Sequence, residues 1–200
     1  MSPTIRPFHP VDLPGIYRTC LVTADAGGDA SALYRNPDLI AHVYAGPYPV
    51  ADPGLTFVVV DEHGVGGYVV ATADSAEFLR WLDAHWWPTL RAQYPRIPDP
   101  GDGTQDHVLV DRIHNWPTTP EPHHDEFPAH LHIDLLPRLQ GQGWGRRLIG
   151  TLTDALRARG VHGLHLGVSG RNTGGIAFYD RLGFETFAQH PWGRTLTLRF

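Results

Sequence analysis

The stretch from His130 to Gly160 constrains the fold more than any other part of the chain. In His130 to Leu136 (HLHIDLL), Leu131, Ile133 and Leu135 alternate with His130, His132 and Asp134, the period-two pattern of a strand. Pro137 follows. Glycines at 141, 143 and 145 then lead into Arg146 to Arg159, where Leu148, Ile149, Leu152, Ala155 and Leu156 form one helical stripe, and Gly160 stops that helix. A strand that enters a helix through glycines turns tightly, and glycine lets the backbone do so and approach a ligand closely. The first amides of such a helix lack intrahelical partners and sit at the positive end of its dipole. Arg146 and Arg147 in the first turn are unfavourable for an isolated helix and favourable beside a bound anion. The junction suits a diphosphate, but a glycine-rich turn with no ligand would have the same spacing. It is not the dinucleotide fingerprint, whose glycines fall at i, i+2 and i+5, and it lacks the Gly-Lys-Ser/Thr of a Walker loop.

The rest of the chain supplies elements for a layered fold. A short strand is expected at Thr4 to Pro7, followed by a helix with Leu13, Ile16, Tyr17 and Cys20 on one face. After a polar, glycine-bearing stretch (TADAGGDAS), Ala32 to Tyr44 is expected to be helical, with Pro37 starting a turn. Leu55 to Val60 and Gly67 to Ala71 read as apolar strands joined by a hairpin turn at 61–66. Glu77 to Tyr94 is expected to be a helix, broken or restarted at Pro88, and carries three of the six tryptophans: Trp81, Trp86 and Trp87. A Pro/Gly/Asp stretch follows, then His107 to Ile113, which alternates like a strand, then a Pro/His/acid loop. Beyond Gly160, strands at Leu164 to Val168, Phe184 to Ala188 and Thr195 to Phe200 enclose a helix from Gly174 to Leu182. Strand and helix alternate in this half, as in an α/β protein. Residues 1–200 read as a single domain, with 72–128 an insertion packed on the main fold.

Composition excludes several classes. At 42% hydrophobic and 18% charged, the 200 residues are those of a core-burying protein. A formal net charge of -5 provides no general attraction to nucleic acid or to an anionic membrane. Cys20 is the only cysteine, so neither an intrachain disulfide nor a cysteine zinc cage can form. No run is apolar enough to be a signal segment or to span a bilayer, so a soluble, cytoplasmic protein is expected.

Three blocks together resemble one family. LLPRLQGQGWGRRLIGTL is similar to the signature of the GNAT superfamily of acyl-CoA-dependent N-acyltransferases, with Gln140, Gly143 and Gly145 at its marked positions. NTGGIAFYDRLGFE resembles that family's later block, with Asn172, Tyr179 and Gly183-Phe184 in place, and IRPFHPVDLPGIY looks like its first strand and helix. The blocks occur in order and cover 4–71 and 129–200. Within the superfamily, the NPDLIAHVYAGPY segment and the Trp-rich insert resemble bacterial relatives of the C-terminal acetyltransferase-like domain of O-GlcNAcase. The resemblance implies a central mixed, twisted sheet of about seven strands flanked by helices, with the Trp-rich insertion ahead of the fourth core strand.

It also implies a site. Backbone groups of Ile133, Asp134 and Leu135 would hold the pantetheine arm of acetyl-CoA, with Leu135 N–H as oxyanion donor. Gln140, Gly141, Gln142, Gly143, Trp144, Gly145 and Arg146 would hold the pyrophosphate, and Asn172 the amide arm, unless Asn172 only caps a helix. Tyr179 would be the general acid, a phenol whose ordinary pKa of about 10 exceeds that of a CoA-type thiol; its alternative is aromatic packing. For the base, Asp134 comes first and His132 second, each with a purely structural hydrogen-bonding alternative. His-Leu-His at this place is similar to the paired strand histidines of arylalkylamine acyltransferases, but lies one residue closer to the glycines. No metal site is expected, since His123 and His124 are adjacent in a Pro-rich loop and lack His-x-x-x-His spacing. The implied function is acetyl transfer to a small-molecule amine in a ternary complex by a monomer or homodimer. The alternative is a module that binds acyl-CoA without turnover.

Overall fold

A computed structural model describes residues 2–200. Seven strands form one sheet in the order β1-β2-β3-β4-β5-β7-β6: β1 (Thr4–Pro7), β2 (Thr56–Asp61), β3 (Gly64–Thr72), β4 (Ala129–Leu135), β5 (Gly163–Ser169), β6 (Glu185–His190) and β7 (Gly193–Arg199). Every neighbouring pair is antiparallel except β4 and β5. The expected seven-stranded mixed sheet is present. The turn between β2 and β3 is tighter than the sequence suggested. Asp61 pairs with Gly64 across two residues, and Gly64 adopts φ +90, a conformation that L side chains rarely adopt.

Alternation along the strands divides the interior into two cores. Tyr68 and Val70 of β3 face one side, where they meet α1 (Leu13–Leu21) and α2 (Leu39–Tyr44). Val69 and Ala71 face the other, with Leu131 of β4 and the stripe Leu148, Leu152 and Leu156 of α7 (Trp144–Arg157). Those three leucines are fully buried, each contributing about 1.5–3 kcal/mol of transfer free energy. β4 is thus amphipathic in an unusual sense. Leu131, Ile133 and Leu135 point to the α7 core, while His130, His132 and Asp134 point to the α1 side.

The segment expected to be an insertion is helical throughout its ordered elements. Asp74 caps α4 (Ser75–Trp81) by accepting the Glu77 N–H at 2.9 Å. A wide π-helical turn at Leu82–Trp86 follows, and α5 (Trp87–Gln93) restarts with Pro88 in its first turn. His107 to Ile113, expected as a strand, instead lies in α6 (Asp106–His114). Leu109, Val110 and Ile113 are its buried residues, a spacing of one helical face, whereas Val108 is 44% exposed. The alternation of valines was incidental. A second expectation is also corrected: of Ala32 to Tyr44, only α2 is helical. Pro37 disfavours helical geometry at Asn36, and the Asn36 side chain instead accepts the Asp38 N–H at 3.0 Å in a turn. Trp87 is fully buried beside Trp116, while Trp81 and Trp86 pack around the same core, so these rings act mainly as filling. A short α3 (Pro47–Ala51) and α8 (Thr173–Asp180) complete the helices. Among the described residues, no helix is long and apolar enough to cross a membrane.

Candidate active site

The parallel pair β4/β5 is joined only at Ala129↔Leu164 and His130↔His165; beyond these the strands diverge. The orientation of the freed backbone groups follows from the other edge. Leu136 N–H donates to Gly66 C=O at 2.8 Å. Hydrogen-bonding direction alternates along a strand, so Leu135 and Ile133 direct their N–H and C=O groups to the opposite edge, into the gap facing β5. Gln140 reaches back and donates from Nε2 to Leu135 C=O at 2.8 Å, satisfying one of these groups. The gap widens into a cavity of about 650 Å³.

The glycine loop and the start of α7 form one wall of that cavity. Gly141 has φ +71 and Gly143, the N-cap of α7, has φ +82; a Cβ at either would meet nothing within 4 Å. Glycine is required there by conformation rather than by crowding. Gly145 is different, because a Cβ would lie 2.9 Å from Phe178 Cζ, so the absent side chain lets α7 and α8 pack closely. Gly143 provides no side-chain cap, leaving the first amides of α7 without a local acceptor. Arg146 lines the cavity, whereas Arg147 lies over the Trp144 ring at 4.6 Å. The loop itself is anchored by Arg138, whose Nε donates to Asp61 at 2.8 Å.

Of the residues expected to hold a cofactor, Ile133, Asp134, Leu135, Gln140, Gly141, Gly143, Trp144, Gly145, Arg146, Asn172 and Tyr179 all line this cavity. Gln142 is not among the lining residues; its amide donates to Arg138 C=O at 2.7 Å. Asn172 caps α8 by accepting the Gly175 N–H at 2.8 Å, so its cap role is realised at the cavity wall. The opposite wall was not expected from the sequence. Thr23, Ala26 and Gly27 of the loop after α1 reach the cavity, and Ala26 is the only non-glycine residue with positive φ among the described residues. Arg171 also lines it and pairs with Asp25 at 2.6 Å, tying that loop to the end of β5. The Ala-Gly-Gly run in the loop was the one available signal.

The ionisable groups have distinct environments. Tyr179 is buried between Phe178 and Phe184, with ring centroids 5.2 Å away in each case. Burial, aided by the nearby Asp134 charge, pushes its phenol up, so it stays protonated at neutral pH. Burial also raises the Asp134 carboxyl, partly offset by the hydroxyls of Tyr68 and Thr23; Tyr68 donates to Asp134 Oδ2. His132 does not line the cavity. Its ring sits against Tyr44 and Tyr48 at 5.6 and 5.4 Å, and burial lowers its pKa to about 4, leaving it neutral.

The chain as a whole has close counterparts. The sequence pattern of the Acetyltransferase (GNAT) family matches residues 110–184. The crystal structure of SsHAT is 38% identical, superposes with a TM-score of 0.91, and is matched over 100% of this chain and 98% of that one. The chain belongs to the GNAT acetyltransferase family. Two further relatives are longer proteins. Mycothiol acetyltransferase of Beutenbergia cavernae is 44% identical over 182 residues, covering 85% of this chain and 54% of that protein. Protein O-GlcNAcase of Rattus norvegicus is 24% identical over 181 residues, covering 90% of this chain but 20% of the O-GlcNAcase. The chain therefore spans about half of one relative and a fifth of the other.

Proposed function

We propose that this GNAT protein transfers the acetyl group of acetyl-CoA directly to the amine of a small molecule. The observation that carries the proposal is the coincidence of three features at one cavity: β4 backbone groups that do not pair with β5, an uncapped helix start with glycines at positive φ, and Tyr179 beside Asp134. The cavity residues fit an extended ligand with an anionic centre, the pantetheine arm along Ile133 and Leu135 and the pyrophosphate at Gly141 to Arg146. Gln142 then acts through Arg138, supporting the loop from outside. When bound, acetyl-CoA supplies an activated thioester.

The chain's own groups perform four tasks. Leu135 N–H stabilises the negative charge that develops on the carbonyl oxygen as the amine nitrogen bonds to the carbonyl carbon. Asp134 accepts the amine proton, directly or through water. Tyr179 gives its proton to sulfur as the carbon–sulfur bond breaks. Proton return from Asp134 to Tyr179 resets the site, leaving an amide and a free thiol. Acetyltransferase names among the relatives, including one for mycothiol and one for L-methionine sulfoximine/L-methionine sulfone, support a small acceptor. Its single buried cysteine suits a reducing, cytoplasmic setting.

One observation favours a second reading, a binding module without turnover. Asp134 is already engaged by Tyr68, and His132 is screened behind two tyrosines, so neither base is free in this state. Thiol release from acetyl-CoA, measured across a panel of small amines, separates the two. Turnover that depends on Asp134 supports the enzyme; tight acetyl-CoA binding with no turnover on any amine supports the module.

A further inference from the structure

We propose that His123, His124 and His165 form a zinc site that clips the loop ahead of β4 to the strand β5. In sequence, only the adjacent pair in the loop is visible, and adjacency is poor ligand spacing. The fold adds His165 from β5, and the three residues then offer ring nitrogens that all lie within 4.8 Å of one another. Tetrahedral zinc with bonds of about 2.0–2.1 Å sets its ligand nitrogens about 3.4 Å apart, so a swing of about an ångström at each ring closes the set.

The surrounding contacts prepare these nitrogens. His165 Nδ1 lies 2.8 Å from Phe127 C=O. A carbonyl only accepts, so Nδ1 carries the proton and Nε2 keeps its lone pair for a metal, the tautomer found when a backbone carbonyl orients a ligating histidine. A carboxylate oxygen of Glu121 lies 3.6 Å from His123 Nδ1, beyond hydrogen-bond distance but on the side where a carboxylate would orient the ring. His124 Nδ1 is buried with no hydrogen-bond partner in the structure, an unmet polar group within one of the three rings. The rings are already gathered, with His123 and His124 centroids 4.4 and 4.7 Å from that of His165.

The loop is held in place independently of a metal. Phe127 N–H donates to His123 C=O at 2.9 Å, Phe127 is buried, and Glu126 pairs with Arg199 of β7. At Gly163, a Cβ would come within 2.9 Å of Glu126 C=O, so the start of β5 passes close beneath the loop. Three neutral imidazoles with no thiolate suit a borderline divalent transition metal rather than magnesium or calcium. They leave one tetrahedral position for water or an incoming ligand. The site lies at the paired end of β4 and β5, away from the divergence that forms the cavity.

The test uses the full chain without a histidine tag, stripped with a chelator and titrated with zinc against a competing chromophoric chelator. One zinc per chain is expected, with affinity at least tenfold weaker in His124→Gln and in His165→Gln and unchanged in His63→Gln, an exposed histidine elsewhere. Cobalt(II) substituted for zinc should give the strong visible absorption of a four-coordinate ion, lost in the same variants. His165 is buried and its variant can lose fold, but His124 is partly exposed, so that variant keeps the test intact. Absence of stoichiometric zinc binding overturns the proposal. So does binding that His124→Gln leaves unchanged, or that His63→Gln abolishes.

Discussion

Replacing Tyr179 with phenylalanine removes one hydroxyl and little else. The ring's packing against Phe178 and Phe184 is retained, and the backbone bonds from Leu182 N–H and Phe184 N–H to Tyr179 C=O are untouched. The structural cost should be below about 1 kcal/mol, a Tm shift of at most about 2–4 °C for a chain of this size. The chemical cost should be far larger. A positioned general acid contributes about 10²–10⁴-fold, or roughly 3–5 kcal/mol of barrier. The phenol lies above its ordinary range through burial, so the wild type should show no alkaline loss of activity from Tyr179 ionising near neutral pH. The assay pairs thiol release, followed with a chromogenic disulfide, with calorimetric titration of acetyl-CoA. Turnover should fall at least about 100-fold with acetyl-CoA affinity within about threefold of wild type. Turnover within about threefold of wild type would refute the acid role, and a collapse of Tm or of acetyl-CoA binding would assign Tyr179 to packing instead.

Further expectations concern the loop, the carboxylate and the helical segment. Gly143→Ala forces a left-handed N-cap on a residue with a Cβ, costing about 1–2 kcal/mol, and should lower both Tm and acetyl-CoA affinity, as thermal melts and calorimetry would show. Asp134→Asn should abolish turnover while raising stability at neutral pH. Folding raises this carboxyl's pKa, so the native state binds more protons than the unfolded chain, and wild-type stability falls as pH climbs from the ordinary aspartate value toward the folded one. The stability gap between variant and wild type should therefore narrow as pH is lowered, and a gap that widens would contradict the assignment. Ile113→Ala, at a fully buried position of α6, should cost about 2–5 kcal/mol and shift a single unfolding transition; a separate transition for residues 72–128 would show that this segment unfolds apart.

The site was legible where chemistry follows periodicity. His130 to Leu136 alternates as a real strand does, and Leu148, Ile149, Leu152 and Leu156 mark the buried face of α7, so the junction between them could be placed to within two residues. The positive φ of Gly141 and Gly143 is what the glycine spacing implied. The divergence of β4 from β5 was not legible, because it depends on pairing that stops after His130. Nor was the wall made by Thr23 to Gly27, since an irregular loop carries no repeating pattern. Val108 and Val110 imitated a strand because β-branched residues two apart also occur on helices, and only the burial of Leu109 and Ile113 distinguishes the cases. Nor could sequence spacing show that His165 lies beside the adjacent pair His123 and His124.

The claim on which the functional reading rests is that the cavity where β4 leaves β5, walled by the start of α7, receives acetyl-CoA. Calorimetric titration of the wild-type chain and of Gly143→Ala with acetyl-CoA tests it most directly. Binding of one acetyl-CoA per chain, weakened about tenfold or more in the variant while the fold persists, is the expected result. No binding to the wild type, or equal affinity in the two proteins, would contradict it.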